Sequence, residues 1–203
     1  MKSLSEIETT VKRASKAVGY SWGISEETGK SIRVLELFGL PGIKNLNEYF
    51  KEKNNNKFEN LNLISEKNFS GDNPYCPIIL GVSFLDQINK LETKKKIEFK
   101  SVAYPLLFLS FLSRSSEIIG KKMHVKFDNN ELLINLNVNI YSDSINKNFP
   151  KMASNLEVNF LENKDNFTED EWKNLYKLSE DTFVEESERL KQGGAGAGLT
   201  DND

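Results

Sequence analysis

From Ile97 onward, apolar and polar residues trade places at every step, and a single apolar block interrupts them. Ile97 and Phe99 alternate with Glu98 and Lys100, and Met123, Val125 and Phe127 alternate with His124 and Lys126. Leu156, Val158 and Phe160 close the series. Successive strand side chains point to opposite faces, so a period of two specifies strands with one buried and one wet face. Such strands belong in an antiparallel sheet, because parallel sheets are covered on both faces and read as continuous apolar runs. After the turn Asp128-Asn129-Asn130, the residues Leu132, Ile134, Leu136, Val138 and Ile140 alternate with Asn135, Asn137 and Asn139 and read as one strand. The interrupting block opens at Pro105, stays apolar almost all round to Ile119, and stops at Gly120. A helix that is apolar all round is buried on more than one side. A helix over 105–119 is therefore expected to pack on the sheet and to meet the N-terminal helices with its other side.

Those helices are written in steps of three and four. Leu4, Ile7, Val11, Ala14 and Val18 form one stripe that Gly19 ends. Ser25 before Glu26, Glu27 and Thr28 reads as an N-cap with acid in the first turn. Ile32, Leu35 and Phe38 continue a second face to the stop Leu40-Pro41-Gly42. Tyr20-Ser21-Trp22-Gly23 then joins two helices into a hairpin. Asn45 to Glu52 adds a short third helix, and the polar stretch Lys51 to Asn60 reads as an exposed loop. Ile78, Val82, Leu85 and Ile88 mark a helix from Ile78 to Leu91. Thr168-Glu169-Asp170-Glu171 is a capping box that starts a C-terminal helix carrying Trp172, Leu175, Tyr176, Ser179 and Phe183. The expected class is α+β: an N-terminal helical hairpin, an antiparallel meander sheet packed by an apolar helix, a C-terminal helix and a Gly-rich tail. One domain over 1–203 is expected, helical over 1–92, with the sheet and helix 105–119 in 93–162. The C-terminal helix then occupies 163–192 and the tail 193–203.

Composition removes several functions. The chain has 203 residues with 27 Lys+Arg against 30 Asp+Glu, a net charge of −3. That balance gives no cationic footprint for nucleic acid or an anionic membrane surface. One Cys excludes an intrachain disulfide and every multi-Cys metal scheme, and one His excludes a paired-His zinc motif. The greasiest run, Val102 to Leu112, falls well short of the roughly 20 residues a spanning helix needs. Met1-Lys2-Ser3-Leu4-Ser5-Glu6 enters an amphipathic pattern with no apolar export region, so a cytoplasmic, soluble protein is expected. No cofactor is expected either. Gly194-Ala195-Gly196-Ala197-Gly198 follows a helix and precedes none, whereas a dinucleotide loop follows a strand and opens a helix.

The remaining candidates are few. Cys76 lies between Pro74 and Pro77, and only His124 can offer it an imidazole base. His124 falls on the polar phase of its strand, which favours a small buried thiol at a helix start over a Cys–His pair. Trp22 sits in the hairpin bend as an anchor or a ligand platform. Arg114 lies on the apolar helix and must sit at an edge or find a buried carboxylate, for which the C-terminal acids are the suggested partners. Glu186 and Arg189 stand just before the tail, where Arg189 is placed to grip a carboxylate or phosphate. In the tail, Gly194, Gly196 and Gly198 permit close backbone approach to a groove, while Asp201 and Asp203 bring negative charge.

Ser21-Trp22-Gly23, Cys76-Pro77, Val102-Ala103-Tyr104-Pro105-Leu106-Leu107 and the ending Glu186-Ser187-Glu188-Arg189 with Gly194 to Asp203 resemble an uncharacterised bacterial family, a domain of unknown function. The resemblance covers nearly the whole chain, is most specific at the ending, and leaves Lys51 to Lys67 and the Asn/Lys-rich strands unmatched. It implies no activity, cofactor or fold, but it does imply that the tail belongs to the working protein. The poverty of catalytic groups points to a non-catalytic binding or accessory protein, whose C-terminal helix and tail dock on a protein partner or a sister subunit. The alternative is a small-molecule enzyme acting on an anionic metabolite. It would use Glu186, Asp201 or Asp203 as base and Arg114 or Arg189 to hold the anion.

Overall fold

The computed structural model describes residues 2–142 and 149–182. The chain divides after Asn163 into two compact units. In the first, the stripe read from the N-terminus forms α1 (Leu4–Ala17), and Gly19 ends it with a φ of 99° that a Cβ would strain. The second helix, α2 (Trp22–Leu37), is capped four residues before the expected position. Ser21 is the N-cap, accepting from the Ile24 N–H at 3.3 Å. The Ser25 hydroxyl instead donates back to the Ser21 carbonyl at 2.7 Å, as a serine inside a helix does. The third helix, α3 (Gly42–Lys53), is longer than expected and takes the first residues of the presumed loop. The fourth, α4 (Pro77–Leu91), and the apolar helix α5 (Pro105–Ile119) lie where the sequence puts them.

The sheet has six strands: β1 (Lys67–Phe69), β2 (Lys96–Ala103), β3 (Lys122–Phe127), β4 (Asn130–Asn135), β5 (Asn139–Ser142) and β6 (Met152–Leu161). Their order is β1-β2-β6-β3-β4-β5. The meander is β3-β4-β5, and β6 returns to lie antiparallel between β2 and β3. The short β1, not anticipated, runs parallel to β2 at the edge. The segment 132–140 is two strands, because Leu136 and Asn137 turn at φ 52° and 58°. Helix α5 holds that turn: the Leu136 N–H donates to Ser116 Oγ at 3.1 Å, and Ser113 Oγ donates to Asn137 Oδ1 at 2.9 Å.

Ile97, Phe99, Met123, Val125, Phe127, Leu156 and Val158 are all buried on one face. The other face carries charge, with Lys96 reaching Glu98 on its own strand at 2.7 Å and Glu157 across on β6 at 3.0 Å. Helix α5 packs on β3 and β4 below and on α2, α3 and α4 above, as its all-round apolar sequence requires. Leu106 to Leu109, Phe111 and Leu112 are accordingly buried. Among the described residues no helix is long and apolar enough to cross a membrane.

The second unit contains α6 (Glu169–Glu180). Its capping box forms as read: Thr168 Oγ1 accepts the Glu171 N–H at 3.2 Å, and Glu171 Oε2 accepts the Thr168 N–H at 2.6 Å.

Candidate functional site

Cys76 sits where a backbone ladder hands over to a helix. Its N–H donates to the Glu59 carbonyl at 2.8 Å, while the Tyr75 N–H donates to the Ser101 carbonyl at 2.8 Å. The Glu59 carboxylate accepts from the Gly71 and Asn73 N–H groups at 2.9 and 3.2 Å and so pins the approach to Cys76. Pro77 then opens α4 at a position where a missing N–H costs nothing. Cys76 thereby becomes the N-cap, and its Sγ accepts from the Ile79 N–H at 3.4 Å.

Two tyrosines from distant segments meet this sulfur. Tyr20 follows the Gly19 turn, and Tyr49 lies on the buried stripe of α3. The Tyr49 hydroxyl is 3.0 Å from Cys76 Sγ, and the Tyr20 hydroxyl is 3.0 Å from that of Tyr49 and 3.5 Å from Sγ. Burial first, and the neighbouring Cys76 second, push both phenols well above the ordinary tyrosine range. Both therefore keep their protons. A chain in which Tyr20 donates to Tyr49 and Tyr49 donates to Sγ uses both.

A cavity of about 430 Å³ opens beside the cluster, walled also by Lys53, Asn56, Phe58 and Asn60. Lys53 Nζ lies 4.6 Å from the centre of the Tyr20 ring and donates to the Val18 carbonyl at 3.2 Å. Neither a histidine nor a carboxylate lines this space among the described residues. His124 instead faces Glu131 at 3.3 Å on the charged side of the sheet, in line with its polar phase. Replacing Cys76 by alanine removes the cap acceptor and the acceptor for Tyr49 together. A loss of roughly 1–2 kcal/mol in urea unfolding is expected, and unchanged stability would refute a structural role for the cluster.

A second cavity, of about 480 Å³, shares Asn56 and Phe58 with the first. Glu52 at the end of α3, Lys151 before β6, and Tyr104 between β2 and α5 line it. Lys151 pairs with Glu52 at 2.8 Å and with Glu48 at 3.7 Å. Tyr104 has a φ of 44°, and its N–H donates to the Lys151 carbonyl at 2.7 Å. Its ring meets that of Tyr49 edge-on at 5.6 Å. The Tyr104 hydroxyl is buried beside Glu52, and burial first, then the hydrogen bond to that carboxylate, push it up to about 12.

In the second unit, α6 buries none of its residues. Trp172, 52% exposed, stacks on Phe167 with ring centres 5.7 Å apart, and Leu175 and Tyr176 follow on the same helical face in solvent.

The residues singled out in the sequence separate. Arg114 Nη2 binds Glu27 Oε2 at 2.6 Å, and Nη1 reaches Ser31 Oγ at 3.3 Å. The partner acid is thus on α2, against which α5 packs, in place of the suggested C-terminal acids. Trp22 is an exposed first-turn residue of α2 with Lys16 Nζ 5.5 Å from its ring centre, and it lines neither cavity. Glu186, Arg189, Gly194, Gly196, Gly198, Asp201 and Asp203 lie outside the described residues. The sequence reading missed Tyr20, Tyr49 and Tyr104. A tyrosine on the buried stripe of a helix, as Tyr49 is, signals a hydroxyl that must find a partner.

The molecule is thus an α+β protein whose first unit places the buried helix α5 between a mostly antiparallel sheet and helices α2, α3 and α4. Residues 2–76 match the model of a family described as Protein of unknown function (DUF3726). The matched segment runs from α1 through α3 to Cys76 and includes Ser21-Trp22-Gly23 and the Tyr20–Tyr49–Cys76 cluster. No curated protein and no solved structure matches the chain.

Proposed function

We propose that this is a non-catalytic binding or accessory protein of the cytoplasm, whose C-terminal helix docks on a protein partner or a sister subunit. The observation that carries the reading is the exposed face of α6. Trp172, Leu175 and Tyr176 recur at helical spacing, and each is at least half exposed. Trp and Tyr are the side chains that most often dominate protein interfaces, and burying one such side chain is worth about 1.5–3 kcal/mol. A helix this short is marginal in water without packing. The Thr168–Glu171 capping box and the acids Glu169, Asp170 and Glu171 in the first turn oppose fraying, which favours a helix formed ahead of its partner. In this reading Glu186, Arg189 and the Gly-rich acidic ending extend the docking segment.

The test is native mass spectrometry of the full chain and of a Trp172→Glu, Leu175→Glu variant, both recovered from their own cells. The wild type is expected as a homo-oligomer or at fixed stoichiometry with a second polypeptide. The variant is expected as a monomer of unchanged melting temperature. A monomeric wild type, or identical assembly of the two, overturns the reading.

An enzymatic reading draws support from one arrangement, the phenol chain ending on Cys76 Sγ beside a cavity. That arrangement favours thiol chemistry over the carboxylate acid/base chemistry expected from the sequence.

A further inference from the structure

We propose that α6 of one copy docks in the groove between α1 and α3 of a second copy, so that two copies exchange these helices. The inference rests on the role given to α6 and names its partner. Helices α1 and α3 belong to one helical layer with α2, and a groove of about 200 Å³ is left between them. Ile7, Val11 and Ala14 line it from α1, and Ile43, Leu46 and Phe50 line it from α3. Ala14 and Ile43 are exposed, and Ile7 and Phe50 are only half-buried. These apolar stripes are therefore left wet, and they gain by the arrival of another apolar face. Along α1 the lining extends from Glu6 to Ala14, about 12 Å at 1.5 Å per residue. The exposed apolar residues of α6, from Trp172 to Leu178, extend about 9 Å and fit within it.

Charge selects the pairing. Arg13 lies one turn from Thr10 in the lining, and Lys44 and Lys51 lie one turn to either side of Asn47. All three are exposed and take part in no ion pair among the described residues. With Lys2, four cations border the groove against the two carboxylates Glu6 and Glu36, the second of which accepts from the Ile43 N–H. Glu48 and Glu52 of α3 are held by Lys151.

Helix α6 has the opposite balance, with Glu169, Asp170, Glu171 and Glu180 against Lys173 and Lys177. Glu169 and Glu180 lie one turn from Trp172 and Tyr176, so they border the apolar face. Pairing of α6 with its own counterpart would set acidic rim against acidic rim, which like charges oppose. The α1–α3 groove offers an apolar floor and a basic rim instead. Each copy carries one such helix and one such groove, so reciprocal exchange covers both and closes the assembly at two. The two contacts act together, which offsets the small area of a single short helix.

The experiment measures the mass of the purified full-length chain by light scattering over a dilution series. The wild type is expected as a dimer. Ile43→Glu in the groove, and Lys44→Glu with Lys51→Glu on its rim, should each weaken the dimer about tenfold or more. The rim effect should appear at unchanged melting temperature and fade with added salt. The exposed rim pair decides the matter if Ile43→Glu also lowers the melting temperature. Glu169→Lys with Glu180→Lys should weaken the dimer alike, and a chain carrying all four charge reversals should regain wild-type association. A dimer lost in Trp172→Glu, Leu175→Glu but kept in the groove variants overturns the groove and leaves α6 as an interface. Failure of the fourfold variant to recover has the same meaning, as does a wild type that is monomeric alone yet bound to a second polypeptide in its own cells. A wild type monomeric in both settings, or a dimer indifferent to the α6 and groove variants alike, overturns this inference together with the reading it rests on.

Discussion

Gly81→Ala is expected to destabilise the protein by roughly 2–3 kcal/mol, the upper end of the usual cost of overpacking a core. On helix propensity alone the sign would be opposite, since alanine is favoured over glycine inside a helix by about 1 kcal/mol. Contact decides the matter. A Cβ at Gly81 would lie 2.2, 2.4 and 2.6 Å from Cδ2, Cγ and Cε2 of Phe111, distances that atoms do not share. Phe111 is fully buried on α5, and the atoms it would meet include the root of its ring, so the conflict is not relieved by moving a flexible tip. Either α4 and α5 separate or the ring leaves its rotamer, and both disturb the α4–α5 contact on which the helical layer rests. Gly23 is the internal control. It is exposed in the first turn of α2, has nothing within 4 Å of a built Cβ, and should tolerate alanine with no loss. Urea unfolding of Gly81→Ala, Gly23→Ala and the double variant Gly81→Ala, Phe111→Leu checks the account. The double variant should recover much of the loss as a coupling between touching residues. A Gly81→Ala protein as stable as the wild type would show that α4 and α5 are not packed as described.

The elements that the sequence bounds with punctuation were legible to the residue. Helix α5 begins at Pro105, where no N–H is needed, and ends at Gly120, whose φ of 64° suits glycine. Where two residues compete for one role, the reading slipped. Ser21 and Ser25 are both serines four residues apart, and only the three-dimensional path tells which one caps α2. The β4–β5 hairpin was invisible for a geometric reason. Ile134 pairs with Ile140, six residues away, so the alternation of strand faces passes through the turn in phase. Leu136 looks like a strand residue, and only its contacts with Ser116 and its neighbours reveal a turn. The return of β6 between β2 and β3 has no local sign at all, because it is chosen by which apolar faces fit.

The same reasoning explains how the cavities escaped. Tyr20, Tyr49, Cys76 and Tyr104 come from four separate segments, three of them between regular elements, and nothing local to any of them names its neighbours. The partner of a buried hydroxyl is a property of packing. Charge is different. Arg114 on an apolar helix announces that an acid must be near, although the sequence offers many acids and does not choose between them.

The acid turned out to be Glu27, and Arg114→Ala is expected to cost about 2 kcal/mol at neutral pH. Removing one partner of a fully buried pair costs about 3–5 kcal/mol, and this pair is only partly covered, with 17% of Arg114 and 22% of Glu27 exposed. Burial alone would raise Glu27. The hydrogen bonds from Lys30 and Arg114 overcome it and hold the carboxyl below its usual range. A carboxyl depressed by folding stabilises above its unfolded pKa, about 4.3, and loses that contribution as pH falls through its lower folded value. Without Arg114 the depression shrinks, so the variant should lose less stability than the wild type on passing from pH 6 to pH 3. Other lowered carboxyls, such as Glu26 and Glu171, titrate alike in both proteins and cancel in the difference. Urea midpoints across that range read the effect. Adding Glu27→Leu to Arg114→Met should restore most of the neutral-pH loss, because replacing both members of such a pair by apolar groups is often close to neutral. Parallel pH curves for wild type and Arg114→Ala would mean that Arg114 does not hold Glu27 in solution. The contact between α2 and α5 would then rest on apolar packing alone.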